Sequence, residues 1–296
     1  MTTKHLFLAG FAMLFFSCSD DDTSVTPPIG NNADAVFDHY TVESTTTQNE
    51  SGVTSGTFVT ANLQEEKFFS ETFEAFVDGV GQGATTTQHY FYENGLLVKR
   101  VYTDDIRNFF YDAESRLAGI TWQYHDTDNY YRFVYVTDNQ VFFERLFLPF
   151  NDPAATIMSR IVLDLDENDN VTKAGKDADL DGVADWYHTF DYNAAGNLTA
   201  VHNANGNTIN IEYASIKDNF AKLAINTYGK RNLMVYQAEC YANLLIDEMR
   251  HSPDLRLTDT QESLIEIQAV PYYFRKTKTL MLDDAVNTTV TTFYFE

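Results

Sequence analysis

The sequence predicts a mainly β protein, an antiparallel meander of hairpin repeats with short helices in its C-terminal part. Three observations carry that reading. Strand-favouring aromatics are abundant, with 23 Phe and 18 Tyr against 2 Trp. Apolar and polar residues alternate over short stretches such as Ile209, Ile211 and Tyr213 against Thr208, Asn210 and Glu212, the period of a strand with one buried face. Gly, Asn and Asp, the residues that tolerate positive φ, sit between these stretches near residues 94, 114, 138, 168 and 195.

The chain begins with Lys4 and His5 ahead of an apolar run from Leu6 to Phe16. That run is too short to span a bilayer as a helix. With its basic start and small closing residues it reads as a signal peptide over 1–17. Phe15-Phe16-Ser17-Cys18 resembles a lipobox, with Phe15 where that signal usually has Leu. The resemblance implies that Cys18 is acylated and becomes the mature N-terminus; the competing reading is an ordinary cleaved signal. Ser19-Asp20-Asp21-Asp22 resembles the surface-export signal of Bacteroidota lipoproteins. Residues 18–33, rich in Thr, Ser, Pro, Gly and Asn, have the composition of a flexible tether. A single β-rich domain is expected over 34–296.

Within it, Val36 to Val42, Gly56 to Leu63 and Phe68 to Val77 read as strands. Gly79-Val80-Gly81-Gln82-Gly83 reads as a hairpin turn. The segment Tyr90-Phe91-Tyr92-Glu93-Asn94-Gly95-Leu96-Leu97 then recurs at 109–117, 133–141, 163–171 and 190–199, the last as Phe190-Asp191-Tyr192-Asn193-Ala194-Ala195-Gly196-Asn197-Leu198-Thr199. This pattern over about 85–215 resembles the YD (RHS-like) repeat, and the chain resembles the small Bacteroidota lipoproteins that carry it. The resemblance implies a hairpin meander and an envelope location, and no particular activity. Helical spacing is expected over Ser215 to Ala224 and Asn232 to Met249. Strands return at Tyr272-Tyr273-Phe274 and at Val290 to Phe295, the latter expected to close the sheet.

The formal charge of −23 argues against nucleic acid or anionic lipid as a partner, since phosphates repel it. Apart from Cys18 there is only Cys240, so stability rests on burial rather than an internal disulfide. Cys240, with Leu233, Tyr236 and Leu244 at helical offsets, reads as a small buried hydrophobe. No HExxH, GxSxG or dinucleotide loop occurs, so nothing argues for an enzyme and no catalytic residue is assigned.

Two constellations remain. Asp177, Asp179, Asp181, Gly182, Val183 and Asp185 match loop positions 1, 3, 5, 6, 7 and 9 of a calcium site, with oxygen ligands and a Gly for the sharp turn. They resemble thrombospondin type 3 and dockerin-like loops, except that His188 holds position 12, where those loops have an acid. A structural calcium is the one cofactor expected; the alternative is a solvated acidic loop. Asp164, Asp166 and Asp169 lack that spacing and read as a solvated hairpin turn. Tyr90, Trp122, Tyr130 and Tyr131 are candidates to stack on sugar rings from the outer sheet face; the alternative is cross-strand packing inside the sheet. The function expected is a lipid-anchored, surface-exposed outer-membrane lipoprotein that binds a glycan or protein. The alternatives are a periplasm-facing accessory of an envelope complex and a hydrolase without a recognisable motif.

Overall fold

The computed structural model describes residues 39–48, 54–83, 85–249, 251–256, 264–270, 273–282 and 285–295. The signal peptide, Cys18, the tether and the expected strand start at Val36 lie outside the described residues.

The first half of the chain forms β1 (His39–Gln48), β2 (Thr54–Gln64), β3 (Lys67–Val77), β4 (Val80–Gly81), β5 (Thr86–Glu93), β6 (Leu96–Tyr102), β7 (Asp105–Tyr111), β8 (Leu117–Tyr124), β9 (Thr127–Thr137) and β10 (Gln140–Leu146). The second half adds β11 (Ile157–Leu165), β12 (Val171–Asp177), β13 (His188–Tyr192), β14 (Leu198–His202), β15 (Thr208–Asn210) and β16 (Tyr213–Lys217). Helices α1 (Asn219–Tyr228), α2 (Lys230–Tyr236) and α3 (Ala238–Asn243) follow, then a 3-10 turn, β17 (Asp254–Arg256), β18 (Leu264–Val270), β19 (Tyr273–Leu282) and β20 (Ala285–Phe295).

Among the described residues, 18 strands make one antiparallel sheet. Each strand from β5 to β15 pairs with the next, as a meander requires. The meander reaches back through β3 and β2 to β1. The last strand, β20, pairs with β1 and with β19 and so lies inside the sheet rather than closing it; among the described residues the sheet's edges are β15 and β18. Strands β16 and β17 form a separate ribbon.

The geometry explains the repeat. The register shifts by one residue just before Tyr92, Tyr111, Leu165 and Tyr192, which then pair with Leu97, Leu117, Val171 and Leu198. Such bulges take backbone groups out of the ladder, and buried groups need other partners. The carbonyls of Phe68, Leu97, Leu117 and Leu198 each accept from a tyrosine hydroxyl farther along: Tyr92 at 2.6 Å, Tyr111 at 2.7 Å, Tyr135 at 3.2 Å and Tyr213 at 2.8 Å. The N–H groups of Phe68 and Leu117 donate to Thr227 on α1 and Asn232 on α2, and that of Leu198 to Ser252, just before β17. Tyr111 with Leu97 and Tyr135 with Leu117 are thus donor and acceptor pairs that lock one hairpin to the next, whereas the Tyr192 hydroxyl makes no such bond among the described residues.

The acidic or amide residue of the turn caps it. Asp112 Oδ1 accepts from the N–H of Glu114 and Arg116, and Asp166, Asn193 and Asn203 repeat the pattern two and four residues on. The fourth residue of each turn has positive φ, which Gly196 and Gly206 adopt without a Cβ penalty. The turn at Asn203 is a further copy that the sequence reading missed. Asp166 behaves as the expected hairpin turn, while Asp169 is held by Arg231 at 2.6 Å.

Inward residues of the sheet, among them Tyr90, Phe109, Phe133 and Leu163, form one core with Leu223, Tyr228, Met234 and Tyr241 of the helices. Helix α1 packs on β3 and β6, α2 on β8, and α3 on β11 and β12. Two helical expectations are corrected. Residues 215–217, expected as helix, belong to strand β16; the helix begins after Asp218, whose carboxylate caps the N–H groups of Phe220 and Ala221. The stretch Asn232 to Met249 is not one helix: it breaks at Gln237 and again at Leu244, which takes a left-handed conformation with φ 54°.

Candidate functional sites

A cavity of about 350 Å³ lies between the inner sheet face and the helices, at the small end of the usual range for ligand sites. Its walls come from β3, β5, β7, β8, β9 and β10 and from all three helices. In a flat sheet β3 and β10 would stand about 29 Å apart, at ~4.8 Å per strand. The sheet therefore curls around the helical segment.

Three of the four aromatics singled out from the sequence meet here. Tyr90, Trp122 and Tyr131 all line the cavity. The expectation that they face outward is corrected: strand alternation turns them toward the helices, where Tyr90 is 3% and Tyr131 8% exposed. Trp122 stacks on Tyr131 at 6.5 Å and Tyr90 on Phe68 at 5.5 Å, so they are also the packing pairs of the alternative reading. Tyr130 is next to Tyr131 on its strand and points the other way; its hydroxyl donates to Asp128 at 3.2 Å and it has no part in the cavity.

The polar groups of the cavity were not read from the sequence. Arg107 lies over the Trp122 ring at 4.3 Å and is held by Asp105 at 3.1 Å and by the Tyr236 hydroxyl. Its place was implicit in the alternation Arg107, Phe109, Tyr111, which puts all three on one face. Glu71 is buried and accepts from Tyr40 at 2.6 Å, Gln88 at 2.8 Å and Tyr90 at 2.5 Å. Burial, reinforced by this carboxylate, pushes both tyrosine hydroxyls well above the usual range. Glu239 presents its surface to the cavity; desolvation there raises its carboxyl, against Arg145, Lys176 and Arg107, which lower it. The indole Nε1 of Trp122 is buried and donates to nothing among the described residues. Cys240 also lines the cavity and is only partly buried, which corrects its reading as a buried hydrophobe.

The acidic loop lies on the opposite, outer face. There Arg132, Glu144, Arg160 and Asp177 stand in one cross-strand row over β9 to β12. Glu144 is 1% exposed and pairs with Arg132 at 2.6 Å and with Arg160 at 2.8 Å. Asp177 is also 1% exposed. Its Oδ2 accepts from Arg160 and from the Gly182 N–H, each at 2.9 Å. Burial would raise the Asp177 carboxyl, but the Arg160 guanidinium and the Gly182 N–H, both on Oδ2, hold it below the usual range. A carboxylate oxygen from each of Asp177, Asp179 and Asp181 lies within 4.8 Å of the others. Gly182 has φ 95°, the turn that brings them together. Asp185 Oδ2 accepts from the Ala178 N–H at 2.8 Å and closes the loop.

The loop rests directly on β12: a Cβ on Gly175 would sit 1.9 Å from the Trp186 carbonyl oxygen. At position 12 of the loop, His188 is committed elsewhere, its Nδ1 accepting from the Ala204 N–H at 3.0 Å. Asp191, the other acid in reach by sequence, pairs with His202 at 2.8 Å.

No protein-family profile and no curated protein matches the sequence. Among solved structures, a porin-like protein from Bacteroides uniformis ATCC 8492 is similar with a TM-score of 0.46 and 9% identity, over 88% of this chain and 96% of that one. A likeness at that level carries no statement about activity.

Proposed function

We propose that the protein is a lipoprotein of the outer membrane, anchored through Cys18 and facing outward, that binds a short glycan in the cavity between sheet and helices. The anchor and its orientation rest on the lipobox-like Cys18 and the acidic run after it. The binding role rests on one observation: Tyr90, Trp122 and Tyr131 converge on a single cavity that also holds Arg107, Glu71 and Glu239. Aromatic rings take the apolar face of a sugar ring, and Arg107 and Glu239 take its hydroxyls, both Glu71 oxygens being already hydrogen-bonded. The unpaired Trp122 Nε1 is a donor in that wall, and a buried donor gains from any acceptor brought to it.

The test is fluorescence titration. With Trp186→Phe, Trp122 becomes the one remaining indole. A panel of mono- and oligosaccharides should contain members that change its emission saturably. The change should weaken when Arg107→Gln is added. A panel without any saturable change overturns the glycan reading. Protease shaving of intact cells tests the outward orientation separately; survival until lysis overturns it and favours a periplasmic role.

A further inference from the structure

We propose that the loop from Asp177 to Asp185 is a calcium site of the outer face that clamps the β12–β13 connection onto the sheet. Three nearby carboxylates alone would mark only an acidic loop. The added observation is the second oxygen of Asp177, Oδ1. It is buried, it belongs to a residue 1% exposed, and it accepts no hydrogen bond among the described residues. A buried carboxylate oxygen without a partner is costly, and such positions call for a cation or a donor.

Arg160 cannot serve it. Its Nη1 is spent on Asp177 Oδ2 and the Leu180 carbonyl, and its Nε and Nη2 on Glu144. The charge row supports the same conclusion. Arg132 and Arg160 balance Glu144 and Asp177, whereas Asp179, Asp181 and Asp185 form no ion pair among the described residues. A divalent ion beside Asp177, Asp179 and Asp181 therefore meets an uncompensated negative field.

The donor set selects the ion. Oxygen atoms alone converge, and the one imidazole at hand, His188, is already hydrogen-bonded to Ala204. Hard oxygen donors suit calcium or magnesium rather than zinc or copper. A loop with carboxylates at positions 1, 3 and 5 and a carbonyl at 7, here Val183, suits the larger, less exacting calcium. With no acid at position 12, the bidentate ligand of the tightest sites is lacking. Affinity should fall in the extracellular range, with Kd about 10⁻⁴–10⁻³ M.

The test uses the whole chain in detergent micelles, stripped with a chelator and titrated with terbium alone and then with calcium. Trp186 directly follows Asp185 and should sensitise terbium emission. Calcium should displace terbium with a Kd in the stated range, and magnesium should do so far less well. Asp179→Asn with Asp181→Asn removes two charges at exposed positions, while the amide oxygens keep the turn hydrogen bonds. That pair should weaken terbium and calcium binding by at least about tenfold, because affinity follows ligand charge. Circular dichroism should stay unchanged. No sensitised emission, emission that calcium does not displace, or equal binding in the Asn pair would each overturn the proposal.

Discussion

Replacing Asn232 with Ala tests how the helices and the sheet hold each other. Asn232 is 8% exposed on α2. Its Oδ1 accepts from the Leu117 N–H at 2.8 Å, and its Nδ2 donates to the Ser115 carbonyl at 3.2 Å. The bulge before Tyr111 leaves that N–H outside the ladder, and Leu117 is 1% exposed, so water does not replace the lost acceptor easily. An unsatisfied buried donor costs about 1–3 kcal/mol. Ser115 is exposed, so its carbonyl rehydrates at little cost. Truncation of the side chain adds a small void. The expected loss is about 2–3 kcal/mol. In urea denaturation the midpoint should fall with an unchanged slope. A loss below about 0.5 kcal/mol would show that the side chain does not capture the bulge donor, and the proposed role of the helical segment would fail.

Three further outcomes follow from the same contacts. Tyr111→Phe removes one rung between hairpins, the hydroxyl on the Leu97 carbonyl, and should cost about 0.5–1.5 kcal/mol in the same denaturation assay. Gly175→Ala forces the 178–187 loop off β12, since the new Cβ would overlap the Trp186 carbonyl; about 1–3 kcal/mol of destabilisation and faster proteolysis within the loop are expected. His251 is buried, and burial together with Lys230 and Arg256 lowers its pKa to about 3. The unfolded chain, with a His pKa of about 6.5, therefore binds a proton that the folded chain refuses. This contribution is complete above the unfolded value and is lost as pH falls from about 6.5 toward 3, by up to about 1.4 kcal/mol per unit. Denaturation between pH 6.5 and 5 should show that slope, reduced by about one proton's worth in His251→Gln.

The hairpins were legible because turn and strand signals are local. Asn94-Gly95 and Asn193 to Gly196 name their own turns, and Tyr92, Tyr111 and Tyr192 each stand one or two residues ahead of a turn. The bulges could not be read, because a one-residue shift leaves the apolar pattern intact while changing which backbone groups need partners. Those partners, Thr227, Asn232 and Ser252, lie far away in sequence and carry no local signature. The aromatic site was half legible. Alternation places Tyr90, Trp122 and Tyr131 on a common face, but which face meets the helices is decided by long-range packing. The acidic loop was readable from spacing, yet the buried Asp177 oxygen depends on Arg160, from the neighbouring strand, being committed to Oδ2.

The most direct test of the central claim is the reactivity of Cys240, which lines the cavity. With Cys18→Ser it is the one thiol in the chain. An open cavity of about 350 Å³ predicts that a small alkylating reagent modifies the folded protein in the absence of denaturant, that a reagent too bulky for the cavity does not, and that the small adduct abolishes the Trp122 response to sugars. Equal rates for both reagents, or no reaction before unfolding, would contradict the cavity and the binding role built on it.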